Sequence, residues 1–215
     1  KKNTEIYYIG KGIVRLFFFN LINCNFLIMT MNDIGNNLNR SRFCNNYVYY
    51  FHSLASTHVI YKSKAFDNFD IIFTNGNYQQ KEIICNEKIN NLNKKKLINT
   101  GYFYLDYLKS KVSLNPNSKR TILFAPSWNY NNKNLFNDHA EKIINLLNKN
   151  KYKVILRPHP EIFKRNKEKV QRILNLFQNS VMFEIDKKSS NIESMENSFV
   201  LITDNSTIGM EYALA

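Results

Sequence analysis

The sequence predicts an α/β protein made of two halves, each built on a parallel sheet. Short, continuously apolar runs alternate with longer amphipathic segments along the chain, a pattern typical of strands that are buried on both faces between helices. A polar segment that contains Pro116, residues 110–120, separates two such series. We therefore predict a linker at this segment and two partial domains, 1–112 and 119–215.

Strands are expected on the apolar runs, and helices on segments with apolar residues three and four positions apart. The strand candidates are 26–29, 47–51, 71–73, 121–124, 154–156 and 199–202. The helical faces carry Ile143, Leu146 and Leu147 in one case, and Val170, Ile173, Leu174 and Phe177 in the other. Strands that alternate with helices of this length indicate βαβ units, so each half is expected to be Rossmann-like.

The composition favours a folded and basic protein. The 215 residues are 44% hydrophobic and carry a formal net charge of +13. A basic balance favours an anionic partner, which leaves nucleic acid, an acidic lipid surface and phosphate-rich substrates open. The three cysteines are widely spaced and form no CxxC pair. We expect reduced, mostly buried thiols in a cytoplasmic protein, rather than a zinc site or a disulfide framework.

The ends of the chain bear on its completeness. The most apolar stretch, residues 6–30, is interrupted by Lys11, Arg15 and several asparagines, so neither a transmembrane helix nor a signal peptide is predicted. The chain begins without methionine and stops at Ala215 inside a predicted helix. We therefore expect that it is truncated at one or both ends.

His52 is the first candidate for a functional side chain. It follows the strand predicted to end at Phe51, and ligands of open α/β sheets bind beyond the carboxyl ends of the strands. A histidine in this position can act as a general base near neutral pH. The alternative is a histidine that caps or packs a loop. His58 lies farther along the segment and is the weaker candidate.

The string Arg157-Pro158-His159-Pro160 is the second candidate, directly after the strand predicted at 154–156. The two prolines restrict the backbone on either side of His159. The arginine and the histidine together could hold phosphate oxygens. The alternative is a stiff strand-to-helix turn in which the histidine has no special role.

The third candidate follows the strand predicted at 199–202. Ser206 and Thr207 lie where a helix is expected to begin. A helix start offers free N–H groups and a partial positive charge, which suit a pyrophosphate. The alternative is an ordinary N-cap, because Asp, Asn, Ser and Thr are the usual capping residues.

The fourth segment, residues 124–128, follows the first strand of the second half, where its loop could face a cleft between the domains. It ends in Trp128, the single tryptophan, for which core packing is the expected role. The sequence contains no GxxxxGK[ST] phosphate loop, no GxSxG nucleophile elbow and no HExxH metal motif. These absences argue against a P-loop nucleotidase, an elbow-type hydrolase and a zinc peptidase.

Taken in chain order, these four segments resemble the motifs of the CDP-glycerol glycerophosphotransferase family, whose members build teichoic-acid-type polymers. The family has an N-terminal histidine motif, an apolar-Ala-Pro-Thr/Ser strand end, an Arg-x-His-Pro turn and a Thr-Asp-Tyr-Ser-Ser helix start. The similar segments here are 51–53, 124–127, 157–160 and 203–207, and 101–106 is similar to a Gly-Tyr-Pro-Arg-x-Asp segment. The departures from the family's pattern are Ser53, Phe103, Tyr104 and Asn205.

The resemblance implies a GT-B fold, in which two facing Rossmann-like domains share one site. The acceptor-side domain would be 1–112 and the nucleotide-donor domain 119–215. The implied reaction moves glycerol phosphate from CDP-glycerol, or a related CDP-polyol, to a lipid-linked or polyanionic acceptor and releases CMP. The resemblance implies no metal and no other cofactor. It also implies work at the inner face of the plasma membrane, where the basic charge suits anionic lipid, and no nucleic-acid partner is expected.

The resemblance also implies a role for each candidate residue. His52 is expected to be the base that activates the acceptor hydroxyl, and His159 is expected to stabilise the leaving phosphate. Donor-phosphate binding is expected of Arg157, Ser206 and Thr207, and contact with the donor ribose or shaping of the site is expected of Asp204 and Glu211. The two histidines are therefore predicted to face each other across one cleft.

Two other functions remain open at this point. A GT-B glycosyltransferase that uses a nucleotide sugar for surface polysaccharide would share the fold and the helix-borne phosphate site. A basic nucleic-acid-binding module is an alternative of another class, although the sequence lacks a recognised module pattern.

Overall fold

The computed structural model describes residues 3–10, 12–32, 34–35, 37–113, 115–128 and 133–215. The chain divides into two compact units, Lys1–Tyr102 and Phe103–Ala215. In the described residues each unit holds one four-stranded parallel sheet with helices packed beside it. The prediction of an α/β protein with two parallel sheets is confirmed.

The first unit places the ends of all its strands along one edge. Its helices are α1 (Ile13–Leu21), α2 (Thr57–Ile60) and α3 (Asn77–Ile89), and its strands are β1 (Cys24–Met29), β2 (Cys44–Tyr50), β3 (Ile71–Thr74) and β4 (Lys96–Asn99). The strands lie side by side in chain order and are all parallel. Tyr49 is fully buried, and its ring centroid lies 4.9, 4.9 and 5.1 Å from those of Phe51, Phe66 and Phe69. This aromatic core anchors β2 just before His52.

The second unit reverses the order of its strands once. Its helices are α4 (Phe103–Lys111), α5 (Leu135–Lys149), α6 (Pro160–Arg165), α7 (Lys167–Phe177), α8 (Ile192–Glu196) and α9 (Thr207–Leu214), with a 3₁₀ turn at Pro116–Ser118. Its strands are β5 (Thr121–Phe124), β6 (Lys153–Leu156), β7 (Phe183–Ile185) and β8 (Val200–Ile202). They lie in the order β7-β6-β5-β8 and are all parallel. The order reverses between β5 and β8, which is where open α/β sheets bind ligands.

All six predicted strands are present, and two short strands were missed. The missed strands are β4 and β7, and each lies at an edge of its sheet. Each is only three or four residues long and carries a charged residue, Lys96 or Glu184, so neither forms an apolar run. The expectation of burial on both faces is wrong for β1, where Phe26 and Ile28 are 59% and 58% exposed. Leu146, predicted on the apolar face of α5, is also exposed.

The compact units divide before the predicted linker. Leu108 of α4 is fully buried and packs in one cluster with Leu123 and Ile155 of the second sheet. The backbone N–H of Asn115 donates to the carbonyl of Glu196, 3.1 Å away. Because these contacts tie α4 and the following segment to the second core, the units divide between Tyr102 and Phe103, whereas the sequence placed the linker at 110–120. The assignment of acceptor and donor roles to 1–112 and 119–215 stays a prediction.

Two further observations concern the thiols and the membrane. The three cysteines are free thiols: Cys44 is buried, Cys24 is partly buried and Cys85 is exposed. The exposure of Cys85 differs from the expectation of mostly buried thiols. In the part of the chain that the structure describes, no helix combines the length and the apolar character that a bilayer crossing requires.

Candidate functional site

His52 lies at the carboxyl edge of the first sheet with its imidazole exposed. The Nδ1 atom is 3.1 Å from the carbonyl oxygen of Thr30, which directly follows β1. A carbonyl oxygen only accepts hydrogen bonds, so Nδ1 carries the hydrogen. The neutral ring then keeps its lone pair on Nε2, which is the nitrogen suited to accept a proton. The bond to Thr30 is also compatible with the alternative of a histidine that caps a loop, so the role of His52 as a base stays a prediction.

The segment around Gly101 reaches the backbone of the same histidine. Gly101 has a φ of 73°, a left-handed conformation that glycine adopts without strain. The hydroxyl of the next residue, Tyr102, donates to the carbonyl oxygen of His52 at 3.4 Å. The family-like Gly-Tyr pair is therefore part of the His52 edge.

The loops after β5, β6 and β8 are joined at the carboxyl edge of the second sheet. The backbone N–H of His159, after β6, donates to the carbonyl of Pro126, after β5, at 3.1 Å. The backbone N–H of Ser127 donates to the carboxylate of Asp204, after β8, at 2.6 Å. The other oxygen of this carboxylate accepts from the N–H of Leu135, the first residue of α5, at 3.1 Å. Three of the four candidate segments therefore meet at the reversal of strand order, and Asp204 fastens two of them.

His159 presents its other ring nitrogen. It is the N-cap of α6, and its Nδ1 accepts a hydrogen bond from the backbone N–H of Glu161 at 3.2 Å. Nδ1 therefore carries a lone pair, and the neutral ring has its hydrogen on Nε2. Burial lowers the pKa of His159, which favours this neutral form at pH 7. The side chain thus caps a short helix and at the same time offers an Nε2–H donor.

Trp128 is half-buried against the second core, as expected, and it also contacts two charged or titratable groups. Its ring centroid lies 5.9 Å from that of His159, with a tilt of 36°. The guanidinium carbon of Arg165 lies 5.0 Å from the same tryptophan ring, within range of a cation–π contact. The contact with Trp128 contributes to the burial of the His159 imidazole, and burial is the main cause of the lowered pKa of His159.

Arg157 is engaged inside the second unit. Its guanidinium forms an ion pair with Asp186, the residue after β7, and donates to the carbonyl of Lys188 at 3.0 Å. The carboxylate of Asp186 also accepts from the hydroxyl of Ser194 and from the N–H of Lys188. Burial alone would raise the pKa of Asp186, but these hydrogen bonds and the guanidinium outweigh it and hold the pKa below its usual value. Direct binding of donor phosphate by Arg157 stays a prediction, and the contacts seen here hold the loop that carries His159.

Asp186 was missed in the sequence because β7 was missed. Its replacement by asparagine is expected to destabilise the second unit by about 3 kcal/mol, since it leaves the guanidinium of Arg157 without its charge partner. The side chains of the pair are only 4% and 16% exposed. Because the pKa is lowered, the advantage of the native protein is present at neutral pH and is lost as the pH falls below about 4. Urea unfolding at several pH values measures this difference.

The matched control for this substitution is Glu193→Gln. Glu193 pairs with Lys188, and both side chains are 59% exposed. Its loss is expected to cost less than about 1 kcal/mol, as is usual for exposed ion pairs. An equal, small loss in both variants would contradict a buried structural role for Asp186.

The start of α9 has the geometry of a helix terminus without a side-chain cap. Ser206 is the N-cap, with an extended backbone at φ −131° and ψ 144°, and its hydroxyl makes no capping hydrogen bond. Thr207 is the first helical residue, and both residues are partly exposed. The alternative of an ordinary capping hydroxyl is therefore not observed for Ser206. Phosphate binding at this helix start stays a prediction.

Glu211 lies one turn into α9 and faces inward. It is 7% exposed, and its carboxylate accepts from the side-chain amide of Asn191 at 3.2 Å. The amide oxygen of Asn191 accepts from the hydroxyl of Tyr104 on α4 at 2.9 Å. These contacts hold α9 against Asn191 and, through it, against α4, and the role of Glu211 in shaping the site stays a prediction. Contact with a donor ribose stays a prediction.

The candidate residues thus form two groups, one in each unit. His52 lies at the edge of the first sheet, and the remaining candidates lie at the edge of the second or directly behind it, in α9. That His52 and His159 face one cleft stays a prediction. Among the described residues, no three His, Cys, Asp or Glu side chains are grouped so that they could hold a metal ion.

The solved structures that match this chain include the wall teichoic acid polymerase TagF and a UDP-GlcNAc 2-epimerase from Methanocaldococcus jannaschii. The match to TagF has 17% identity and a TM-score of 0.47, and it covers 83% of this chain and 49% of that chain. The match to the epimerase, solved with UDP-GlcNAc and UDP, has 15% identity and a TM-score of 0.54, and it covers 79% and 51%. The second likeness shows the fold, of the GT-B type predicted from the sequence. The chain spans about half the length of these structures.

The sequence comparison identifies the family. No curated protein matches the chain significantly. The family described as CDP-glycerol:poly(glycerophosphate) glycerophosphotransferase matches residues 52–215. This range begins at His52 and contains every candidate residue of both units. The chain belongs to the CDP-glycerol:poly(glycerophosphate) glycerophosphotransferase family.

Proposed function

We propose that this protein transfers glycerol phosphate from CDP-glycerol to a lipid-linked or polymeric acceptor and releases CMP, in the synthesis of a teichoic-acid-type polymer. Family membership supports the class of reaction. The observation that carries the proposal is the opposite hydrogen bonding of the two histidines. His52 donates from Nδ1 to Thr30, and His159 accepts at Nδ1 from Glu161. One ring thus offers a basic nitrogen and the other offers a hydrogen-bond donor.

These two rings match the two needs of the reaction. The acceptor hydroxyl attacks the phosphorus that bears the glycerol, and its proton passes to Nε2 of His52. A new oxygen–phosphorus bond forms as the bond from this phosphorus to the bridging oxygen breaks. The bridging oxygen and its electron pair leave with CMP. The Nε2–H of His159 donates to the phosphate oxygens on which negative charge develops.

The helix start of α9 is proposed to hold the donor phosphates beside His159. Ser206 makes no capping bond, and α9 begins at the reversal of strand order between β5 and β8. Free N–H groups and the positive end of the helix dipole stabilise phosphate at such a position. The carboxylate of Asp204, just before this helix, accepts from backbone N–H groups of the β5 loop and of the first turn of α5, and so holds the three segments together.

The test of the proposal is release of CMP by the complete reading frame that contains this sequence. CDP-glycerol, CDP-ribitol and a UDP-sugar are offered in parallel with a lipid-linked glycerol phosphate acceptor. We expect CMP and a lengthened acceptor with CDP-glycerol, and little turnover with the UDP-sugar. Release of UDP together with a glycosylated acceptor would overturn the proposal in favour of a nucleotide-sugar transferase.

We also propose that the reaction takes place at the inner face of the plasma membrane, where a lipid-linked acceptor would lie. The formal net charge of +13 supports peripheral contact with anionic lipid. Sedimentation with anionic vesicles, but not with zwitterionic ones, and release of the protein by salt are the expected results. Equal sedimentation with both kinds of vesicle would contradict an electrostatic contact.

A further inference from the structure

The loop that carries His52 is held by side chains of α3 and of the turn before it, in addition to the Tyr102 hydroxyl that donates to the carbonyl of His52. This loop, residues 51–57, joins β2 to α2. Asn75 and Tyr78 donate to the carbonyl oxygens of Ser53 and Leu54, each at 2.7 Å. Both donors belong to the segment where β3 passes into α3. Successive carbonyls of the loop are therefore paired with side chains rather than with water.

Gln79 continues the same pattern from inside the core. It is fully buried, and its side-chain nitrogen donates to the carbonyl of Ala55 at 3.3 Å. Its side-chain oxygen accepts from the backbone N–H of Asn75 at 2.8 Å. Gln79 thus links the end of β3 to the His52 loop, so that neither can shift without breaking a buried hydrogen bond.

Glu82 holds the far end of the loop. Its carboxylate accepts from the hydroxyl of Ser56 at 2.8 Å and from the N–H and hydroxyl of Thr57 at 2.6 and 2.7 Å. Burial alone would raise the pKa of Glu82, but these hydrogen bonds outweigh it and keep the pKa below its usual value. The carboxylate is therefore charged at neutral pH, which makes each of these bonds a strong one.

We propose that Asn75, Tyr78, Gln79 and Glu82 are positioning residues for His52 in the proposed transfer reaction. The imidazole is exposed and is oriented by one hydrogen bond, to Thr30. That bond forms only if the backbone of His52 stays in place. Phe51 is fully buried on one side, and the α3 side chains hold the chain on the other side. The network acts through the backbone and selects the Nδ1–H form of the ring.

One detail of Asn75 supports a role beyond stability. Its side-chain oxygen is buried and has no hydrogen-bond partner among the described residues. An unpaired buried acceptor costs stability, so an asparagine here is a poor choice for the fold alone. The amide nitrogen, in contrast, makes the hydrogen bond to Ser53 nearest to His52.

The test compares Asn75→Ala with Asn86→Ala. Asn86 is a half-buried asparagine of α3, the helix that follows Asn75, and its amide donates to the carbonyl of Ser63 at 2.8 Å, in a segment without a candidate residue. Asn75→Ala is expected to lower kcat for CMP release by about 10–100-fold, with KM for the donor nearly unchanged, because a small misplacement of a catalytic group is costly. Asn86→Ala is expected to keep normal kcat. Tyr78→Phe, which removes one hydroxyl of a 40% exposed residue, tests the same loop if Asn75→Ala does not fold.

Two readouts separate positioning from general stability. In a His52→Ala background, Asn75→Ala is expected to cause no further loss of turnover, because both changes act through one side chain. The nitrogen NMR signals of His52 are expected to show the Nδ1–H form in the native protein. In Asn75→Ala they should move away from the Nδ1–H form toward a mixture of the two neutral forms. A lower melting temperature with unchanged kcat and unchanged His52 signals would overturn the proposal.

The inference rests on the proposed function only for its activity arm. If His52→Ala keeps full turnover, the proposed base is wrong, and the NMR comparison still decides whether the α3 network orients the ring. If His52→Ala is inactive but the Asn75→Ala and Tyr78→Phe variants behave like Asn86→Ala, the base stands and the positioning role is overturned.

Discussion

Replacing His52 with alanine is expected to lower the turnover number of the transfer reaction by about 10²–10⁴-fold, which is the usual contribution of a general base. The melting temperature is expected to change little. The imidazole is exposed and its one hydrogen bond is to Thr30 at the protein surface, so its removal opens no cavity in the core. The measurement is CMP release at saturating donor, with a thermal melt of the same preparation.

His58→Ala is the control for this variant. His58 is the second histidine of the same segment, exposed on α2, and it follows the loop that α3 holds. Normal turnover is expected after its replacement. If the two variants lost activity equally, or if neither did, the assignment of the base to His52 would be wrong.

Replacing both Ser206 and Thr207 with alanine is expected to lower kcat by about 10²–10³-fold. This corresponds to the loss of about 3–4 kcal/mol of transition-state stabilisation, as found when donors to a developing anion are removed. The free energy of unfolding is expected to change by less than about 0.5 kcal/mol, because the Ser206 hydroxyl makes no capping bond. CMP release against donor concentration, paired with urea unfolding, measures both quantities.

Asn134→Ala shows what the loss of a genuine cap looks like in the same unit. Asn134 is the N-cap of α5, and its side chain accepts from the N–H of Asn137 at 2.9 Å. Its replacement is expected to cost about 1 kcal/mol of stability. If the Ser206 and Thr207 double variant lost stability in this way and kept its turnover, the two hydroxyls would serve the fold and not the donor.

The strands of the two cores could be read from the sequence because the needed information is local. A run such as 122–124 or 154–156 is apolar throughout, which is typical of a strand covered on both faces. The short strands β4 and β7 carry no such run, because each has only three or four residues and one of them is charged, Lys96 or Glu184. Because β7 was missed, Asp186 was not recognised as a residue at the end of a strand.

The division between the units could not be read in the same way. The polar segment at 110–120 has the composition of a linker. Two contacts nevertheless attach it to the second unit. Leu108, in the helix just before it, packs with Leu123 and Ile155, and the backbone N–H of Asn115 donates to the carbonyl of Glu196. Both contacts join residues far apart in sequence, so a local sequence pattern cannot predict them.

The sequence by itself determined the α/β class, the six apolar strands, the family and the candidate residues that follow those strands, because these depend on short-range pattern and motif order. The tertiary structure alone decided what each candidate side chain can do. Arg157 forms an ion pair with Asp186, and the Ser206 hydroxyl makes no capping bond. The Nδ1–H of His52 donates to the carbonyl of Thr30, which leaves the lone pair on Nε2. The chemistry of a histidine or an arginine depends on which hydrogen-bond partners reach it, and for His52 and Arg157 those partners lie 22 and 29 residues away in the chain.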